Sequence, residues 1–200
     1  MKKVLHIISS PRTDASVSRK LGNAIVGEIK KKYPEITLKE RDLSKNLIPH
    51  LEETHVTSFF SPAESRTTEQ EKINTYSEKL ISELQEADII VVDSPIYNFS
   101  ITSSLKAYID HVSRAGYTFS YSEKGPEGLL NNKKLYLAVS SGSIFSKGVY
   151  QANDFNVPYL KALFSFFGVN DTSVFRAEGL AMPGIMENAL EKGIESIVID

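Results

Sequence analysis

Cysteine is absent from all 200 residues, which removes disulfides, thiolate metal sites, iron–sulfur clusters and cysteine nucleophiles together and fits a reducing compartment. Long apolar runs are missing too. The densest are Ile89-Ile90-Val91-Val92 and the patch from Leu160 to Val169, far short of the roughly 18 apolar residues of a membrane-spanning helix. Met1-Lys2-Lys3 ahead of Val4-Leu5-His6-Ile7-Ile8 imitates a secretory leader, but such a leader needs an apolar core of about 7–15 residues. We therefore expect a cytoplasmic protein with no membrane segment. A large charge of one sign is also lacking: 23 basic against 25 acidic residues give a net −2, which offers nucleic acid or an anionic membrane nothing to grip. The four histidines, His6, His50, His55 and His111, lack the i, i+4 spacing of a helical zinc pair, so no metal is expected.

What is present alternates. Val4–Ile8 reads as a strand buried on both faces. Leu21, Ile25, Ile29 and Tyr33 then recur every four positions, as on one side of a helix from Arg19 to Tyr33, with Lys30-Lys31-Lys32 in its last turn and Pro34 beyond. Ile36 to Leu43 predicts an edge strand. Residues 44–67 show neither period and predict a long loop of the kind that covers a site or meets another subunit. Thr68-Glu69-Gln70-Glu71 predicts a capping box opening a helix to Ala87. Strands follow at Asp88–Asp93, Leu135–Val139 and Ser173–Ala177, and helices at Ile101–Ala115, Val157–Phe167 and around Met186, Leu190, Ile194 and Ile197, with a short aromatic ribbon from Tyr117 to Tyr121. This order predicts one domain over 1–200, a doubly wound α/β sheet of five parallel strands in the flavodoxin-like order 2-1-3-4-5, with helices on both faces. Ligands bind such sheets beyond the carboxyl ends of the strands, at the switch point.

Three loops should therefore carry function. Ser9 to Ser18 holds four serines, one threonine and no glycine, which excludes a Rossmann turn and a P-loop. Hydroxyls opening a helix suit a terminal phosphomonoester, although any one of these serines by itself is more simply a helix cap. Ser94-Pro95-Ile96-Tyr97-Asn98-Phe99-Ser100 suits a flat heteroaromatic ring, unless both aromatics belong to the core beneath the next helix. Ser140-Ser141-Gly142-Ser143 is a small-residue turn that permits close backbone approach. A receiver domain shares the topology but wants acidic residues after its first strand, and a serine hydrolase wants GxSxG; neither is here.

With these segments the chain resembles the FMN-dependent NADH azoreductases, which also act as NADH:quinone oxidoreductases. The resemblance runs nearly end to end. It rests on Ser10 with Ser16-Val17-Ser18, Pro95 to Phe99, Arg114-Ala115-Gly116-Tyr117-Thr118-Phe119, Gly125-Pro126-Glu127-Gly128-Leu129, Pro158-Tyr159-Leu160 and Ala177-Glu178-Gly179. It implies FMN with its phosphate at Ser10, Ser16, Val17 and Ser18, its isoalloxazine at Ile96, Tyr97, Asn98 and Phe99, and its pyrimidine edge at Ser140, Ser141, Gly142 and Ser143. It further implies NADH as donor, a quinone or azo compound as acceptor, ping-pong two-electron hydride transfer through flavin N5, and a homodimer with the site between subunits; we expect the 44–67 loop, especially Phe59-Phe60, and the Tyr117 to Tyr121 ribbon to line that wall. No side chain is assigned a chemical step, because the flavin carries the chemistry. The third loop departs from the family's usual Ser-Arg-Gly-Gly, a change that bears on substrate preference. Ile96 replaces a frequent methionine, and Phe145 stands where some relatives have histidine. The rival reading is a flavodoxin-like electron carrier without a substrate pocket.

Overall fold

The computed structural model describes residues 1–200. Its strands are β1 (Lys2–Ile8), β2 (Ile36–Asp42), β3 (Ile89–Pro95), β4 (Phe119–Ser122), β5 (Gly125–Gly128), β6 (Lys134–Ser140) and β7 (Asp171–Ala177), and its helices α1 (Val17–Lys32), α2 (Glu53–Phe60), α3 (Thr68–Glu86), α4 (Ser103–Val112), α5 (Val157–Phe166) and α6 (Ala189–Glu195). Five strands form a parallel sheet in the order β2-β1-β3-β6-β7, and β4 and β5 form a separate antiparallel hairpin. Setting the hairpin aside, this is the expected order 2-1-3-4-5.

The period-2 geometry of the strands divides their side chains into two clusters. Leu5, Ile7, Ile90, Val92, Leu135, Leu137 and Val139 pack with Leu80, Ile81 and Leu84 of α3, Leu105, Tyr108 and Ile109 of α4, and Leu160 and Phe164 of α5. Val4, Ile89, Val91, Tyr136 and Ala138 pack with Leu21, Ile25, Val26 and Ile29 of α1. β3 is buried at every residue, which is why it reads as a continuous apolar run with no alternation. Each such side chain removed from water contributes roughly 1.5–3 kcal/mol. No helix is long and apolar enough to cross a membrane.

Several boundaries differ from the sequence reading. Residues 44–67 are not a continuous loop: they contain α2 and a 3-10 turn at Ala63–Ser65. The helix is held from outside itself. Asn74 of α3 donates to both the carbonyl (3.0 Å) and the hydroxyl (2.7 Å) of Ser58, whose hydroxyl donates to the Gln70 carbonyl. Eight residues with only Val56, Phe59 and Phe60 as large apolar groups are too few for a readable period. The box opening α3 starts one residue earlier than expected, with Thr67 and Gln70 each accepting the other's backbone N–H. Strand β3 includes Pro95, whose lack of an N–H is harmless at the final position. Helix α4 is shorter than expected at both ends. Thr102 caps its start, and it stops at Val112, so Arg114 turns inward and Gly116, at φ +83°, serves the turn into the hairpin. Met186 lies before α6, beyond the break made by Pro183 and Gly184 (φ +80°).

Candidate functional site

The carboxyl ends of β1, β3 and β6 lie side by side, with Ile8 opposite Asp93 and Pro95 opposite Ser140. The loops that leave them therefore meet over one end of the sheet. In the first, Ser10, Ser16 and Ser18 are all at least 98% buried. Ser16 is the N-cap of α1: its Oγ accepts the Arg19 N–H (3.2 Å) and lies 3.2 Å from the Ser18 hydroxyl. Capping uses a lone pair and leaves hydroxyl protons to donate, so the cap and the anion-binding readings hold together. The first-turn N–H groups of Val17 and Ser18 have no partner within the helix. Arg19 faces away, toward Asp42 (2.9 Å) and Ser44. An anion placed here would meet neutral donors and the positive end of a helix, the donor set that suits a phosphomonoester. Ser9 is structural, its hydroxyl donating to the Asp93 carbonyl at 2.6 Å.

The second loop is a tight turn in which Tyr97 and Ser100 exchange backbone hydrogen bonds of 3.0 Å. Asn98 and Phe99 between them sit at φ +48° and +71°. Two consecutive non-glycine residues in the left-handed region cost free energy, and such strain collects where a backbone must present itself in one way. What it presents is the pair of N–H groups of Asn98 and Phe99, neither of which has an acceptor within the chain. Tyr97 is 41% and Phe99 47% exposed, so these rings do not belong to the core beneath α4, while Ile96 is half-buried against the core.

The third loop repeats the arrangement. Its carbonyls are consumed by the segment after β7: Ser141 accepts from Leu180, Gly142 from Ala181 and Ser143 from Gly179. The Ser141 hydroxyl donates to the Ser143 carbonyl at 2.7 Å, closing the turn with a bond that the side chain itself supplies. The N–H groups of Gly142 and Ser143 are left without acceptors in the chain. Ser140 does a different job from its neighbours, accepting the Ile96 N–H at 2.8 Å and so tying the two loops together. All twelve candidate residues come to this one end of the sheet. A planar ring with a carbonyl-bearing edge and a phosphate tail would offer acceptors to N–H and hydroxyl groups that the chain leaves unpaired.

Beside the second loop opens a cleft of about 850 Å³ lined by Pro11, Tyr97, Asn98, Lys106, Phe155 and Tyr159, among others. Its wall includes Phe155, for which the sequence gives no signal. Phe155 is 57% exposed and joined to the second loop by an N–H bond to the Phe99 carbonyl (3.0 Å). Phe145 is buried, with its ring edge-on to Phe99 at 6.2 Å. Glu178 accepts the backbone N–H groups of Phe145 (2.8 Å) and Ser146 (3.0 Å). Phe145 and Glu178 lie outside the lining of the cleft and are the two of these three that the sequence comparison with the resembled family touches.

Comparison with known proteins supports the fold. The family model described as flavodoxin-like fold matches residues 2–198. The chain is 47% identical over 182 residues to an FMN-dependent NADH:quinone oxidoreductase of Herminiimonas arsenicoxydans, covering 91% of this chain and 89% of that one. It is 45% identical to one of Alcanivorax borkumensis, covering 94% and 93%. The fold superposes on the azoreductase of Bacillus anthracis with a TM-score of 0.90 at 31% identity, covering 98% and 96%. A second structure from that organism, an FMN-dependent NADH-azoreductase in complex with FMN, gives 0.86 at 28% identity over 98% and 97%.

Proposed function

Because the chain belongs to the FMN-dependent NADH:quinone oxidoreductases of flavodoxin-like fold, we propose that it binds FMN and uses NADH to reduce quinones and azo compounds. The observation that carries this reading is the set of four backbone N–H groups, at Asn98, Phe99, Gly142 and Ser143, left without acceptors beside the buried hydroxyls of Ser10, Ser16 and Ser18. When bound, FMN supplies two-electron transfer at its ring N5 between the nicotinamide donor and the acceptor, in a ping-pong sequence. The protein contributes position. Ser10, Ser16, Val17 and Ser18 hold the phosphate; Ile96, Tyr97, Asn98 and Phe99 seat the ring; Ser140, Ser141, Gly142 and Ser143 frame its pyrimidine edge. Tyr97, Phe99 and Phe155 give the donor and acceptor an apolar place to stack and exclude water, and such positioning supplies up to about 7–11 kcal/mol of a barrier.

The whole of 1–200 is read as one functional domain. The cytoplasm is the proposed compartment, from the cysteine-free sequence. A second copy of the chain is the proposed cover for exposed aromatics that one subunit leaves open, among them Phe60 (81% exposed) and Tyr121 (71%). Phe59 serves its own subunit instead, its ring 4.5 Å from the Arg114 guanidinium. Phe60→Ala is expected to weaken dimerisation in analytical ultracentrifugation and raise acceptor KM; a dimer unaffected on both counts removes Phe60 from the interface.

The electron-carrier reading is less well supported, since a carrier has no use for the cleft between the second loop and α5. Protein loaded with FMN and mixed with NADH and 1,4-benzoquinone, with no other protein present, is expected to turn over continuously. A folded protein that takes up no FMN refutes the cofactor assignment, and FMN uptake without NADH oxidation refutes the enzymatic one.

A further inference from the structure

Arg176, near the end of β7, forks between two carboxylates. One terminal nitrogen lies 2.7 Å from Asp154 and the other 3.1 Å from Glu178. The three side chains are 19%, 6% and 10% exposed, so the pairs are largely shielded from water and salt. Each carboxylate also accepts from backbone. Asp154 accepts the N–H groups of Asn156 and Val157, both at 3.0 Å, and so fixes the start of α5. Glu178 accepts those of Phe145 and Ser146 and so fixes the segment leaving the third loop. One cation therefore controls four backbone N–H groups in two separate segments.

Both segments run to the second loop. From the Glu178 side, Phe145 sets its ring against Phe99. From the Asp154 side, Phe155 donates its N–H to the Phe99 carbonyl, and the Asn156 amide donates to the buried Ser94 hydroxyl at 2.9 Å. Without the guanidinium, two buried carboxylates would keep only their backbone donors and would repel one another across the gap. Arg176 does not itself line the cleft.

Resting on the function proposed above, we propose that Arg176 is a positioning residue for both halves of the reaction: through Glu178 it sets how tightly the third loop grips the cofactor, and through Asp154 it sets the acceptor wall at Phe155. A planar fork is needed for this, since a single ammonium cannot meet two carboxylates with parallel geometry.

The test measures FMN dissociation by fluorescence quenching on the cofactor-stripped protein, and 1,4-benzoquinone KM and kcat at saturating FMN, with thermal unfolding recorded for each variant. Losing a hydrogen bond to a charged group corresponds to roughly 10- to 100-fold in a binding constant. Arg176→Gln is expected to raise both the FMN dissociation constant and the acceptor KM by about tenfold or more, with kcat changed far less. Glu178→Gln is expected to weaken FMN while leaving the acceptor KM near the parent value, and Asp154→Asn to do the reverse. Arg176→Lys is expected to restore only part of either. The proposal is overturned if folded Arg176→Gln leaves both constants within twofold of the parent. It is equally overturned if Glu178→Gln and Asp154→Asn move the two constants together, in proportion to lost thermal stability, and this arm decides the matter should Arg176→Gln fail to fold. Parent protein that takes up no FMN would instead refute the functional reading on which the proposal rests.

Discussion

Replacing Arg114 by alanine should cost the fold about 3 kcal/mol, and the structure says where that figure comes from. The guanidinium is 4% exposed and lies between two rings, 4.5 Å from the centre of Phe59 and 4.6 Å from that of Tyr117. It donates to Asn74 at 2.9 Å and to the Ser77 hydroxyl at 3.3 Å. Each ring contact is worth about 0.5–2 kcal/mol, and the bond to Asn74 about 1.5–3 kcal/mol because the donor is charged. Truncation also leaves the Asn74 carbonyl oxygen, fully buried, without a partner. Relief of the guanidinium's own desolvation, which holds its pKa below the ordinary value, offsets part of the sum. At about 2–4 °C per kcal/mol for a chain of this size, the melting temperature should fall by about 6–12 °C. The loss should be concentrated at α2, whose Phe59 and Ser58 both depend on this cluster, so trypsin should cut between residues 44 and 67 faster than elsewhere. Urea unfolding followed by far-UV circular dichroism measures the first effect, and timed proteolysis with mass mapping the second. Arg114→Lys should recover no more than part of the loss, since an ammonium cannot stack as a plane. A variant within about 1 kcal/mol of the parent would show that the two-ring clamp is not what holds α2.

The remaining predictions concern the phosphate loop and the helix behind it. Ser16→Ala with Ser18→Ala should weaken FMN by about 2 kcal/mol or more, roughly 30-fold, while scarcely changing riboflavin binding, because the hydroxyls address the phosphate; equal losses for both ligands would show that the serines only shape α1. Gly22→Ala should destabilise by about 3 kcal/mol or prevent folding, since the added methyl would stand 1.8 Å from the Asp93 carboxylate, and a soluble variant of parental urea midpoint would contradict the packing of α1 on β3. Asp93 is fully buried, 2.8 Å from His6, and burial, outweighing the attraction of His6, pushes its carboxyl up from 3.8 to about 6. Its native form thus keeps a proton that the unfolded chain releases above about 4. This contribution to stability is full in acid and is lost as pH rises through about 6. Asp93→Asn should therefore flatten the decline in urea midpoint between about pH 4 and 7; a parallel decline in both proteins would assign it to other groups.

What the amino-acid sequence determined by itself is the sheet and the place of the site. Continuous apolar runs at Val4–Ile8, Ile89–Val92 and Leu135–Val139, separated by four-residue periodicities, admit few right-handed layouts, and the switch point follows from the layout. The serines ahead of α1 and the Tyr97–Phe99 turn were legible because chain position alone delivers them to the carboxyl ends of β1 and β3. The tertiary structure decided everything that depends on groups distant in sequence. Helix α2 forms because Asn74 and Arg114 reach back to Ser58 and Phe59, and no local period announces it. The free N–H groups at Asn98, Phe99, Gly142 and Ser143 are visible only once the carbonyls beside them are seen to be spent elsewhere. Arg176 joins Asp154, 22 residues away, to Glu178, a connection that propensity cannot encode because it exists only when β7 lies beside β6. Local pattern follows from chain geometry within a few residues, whereas hydrogen-bond satisfaction and buried charge pairing are properties of the packed whole.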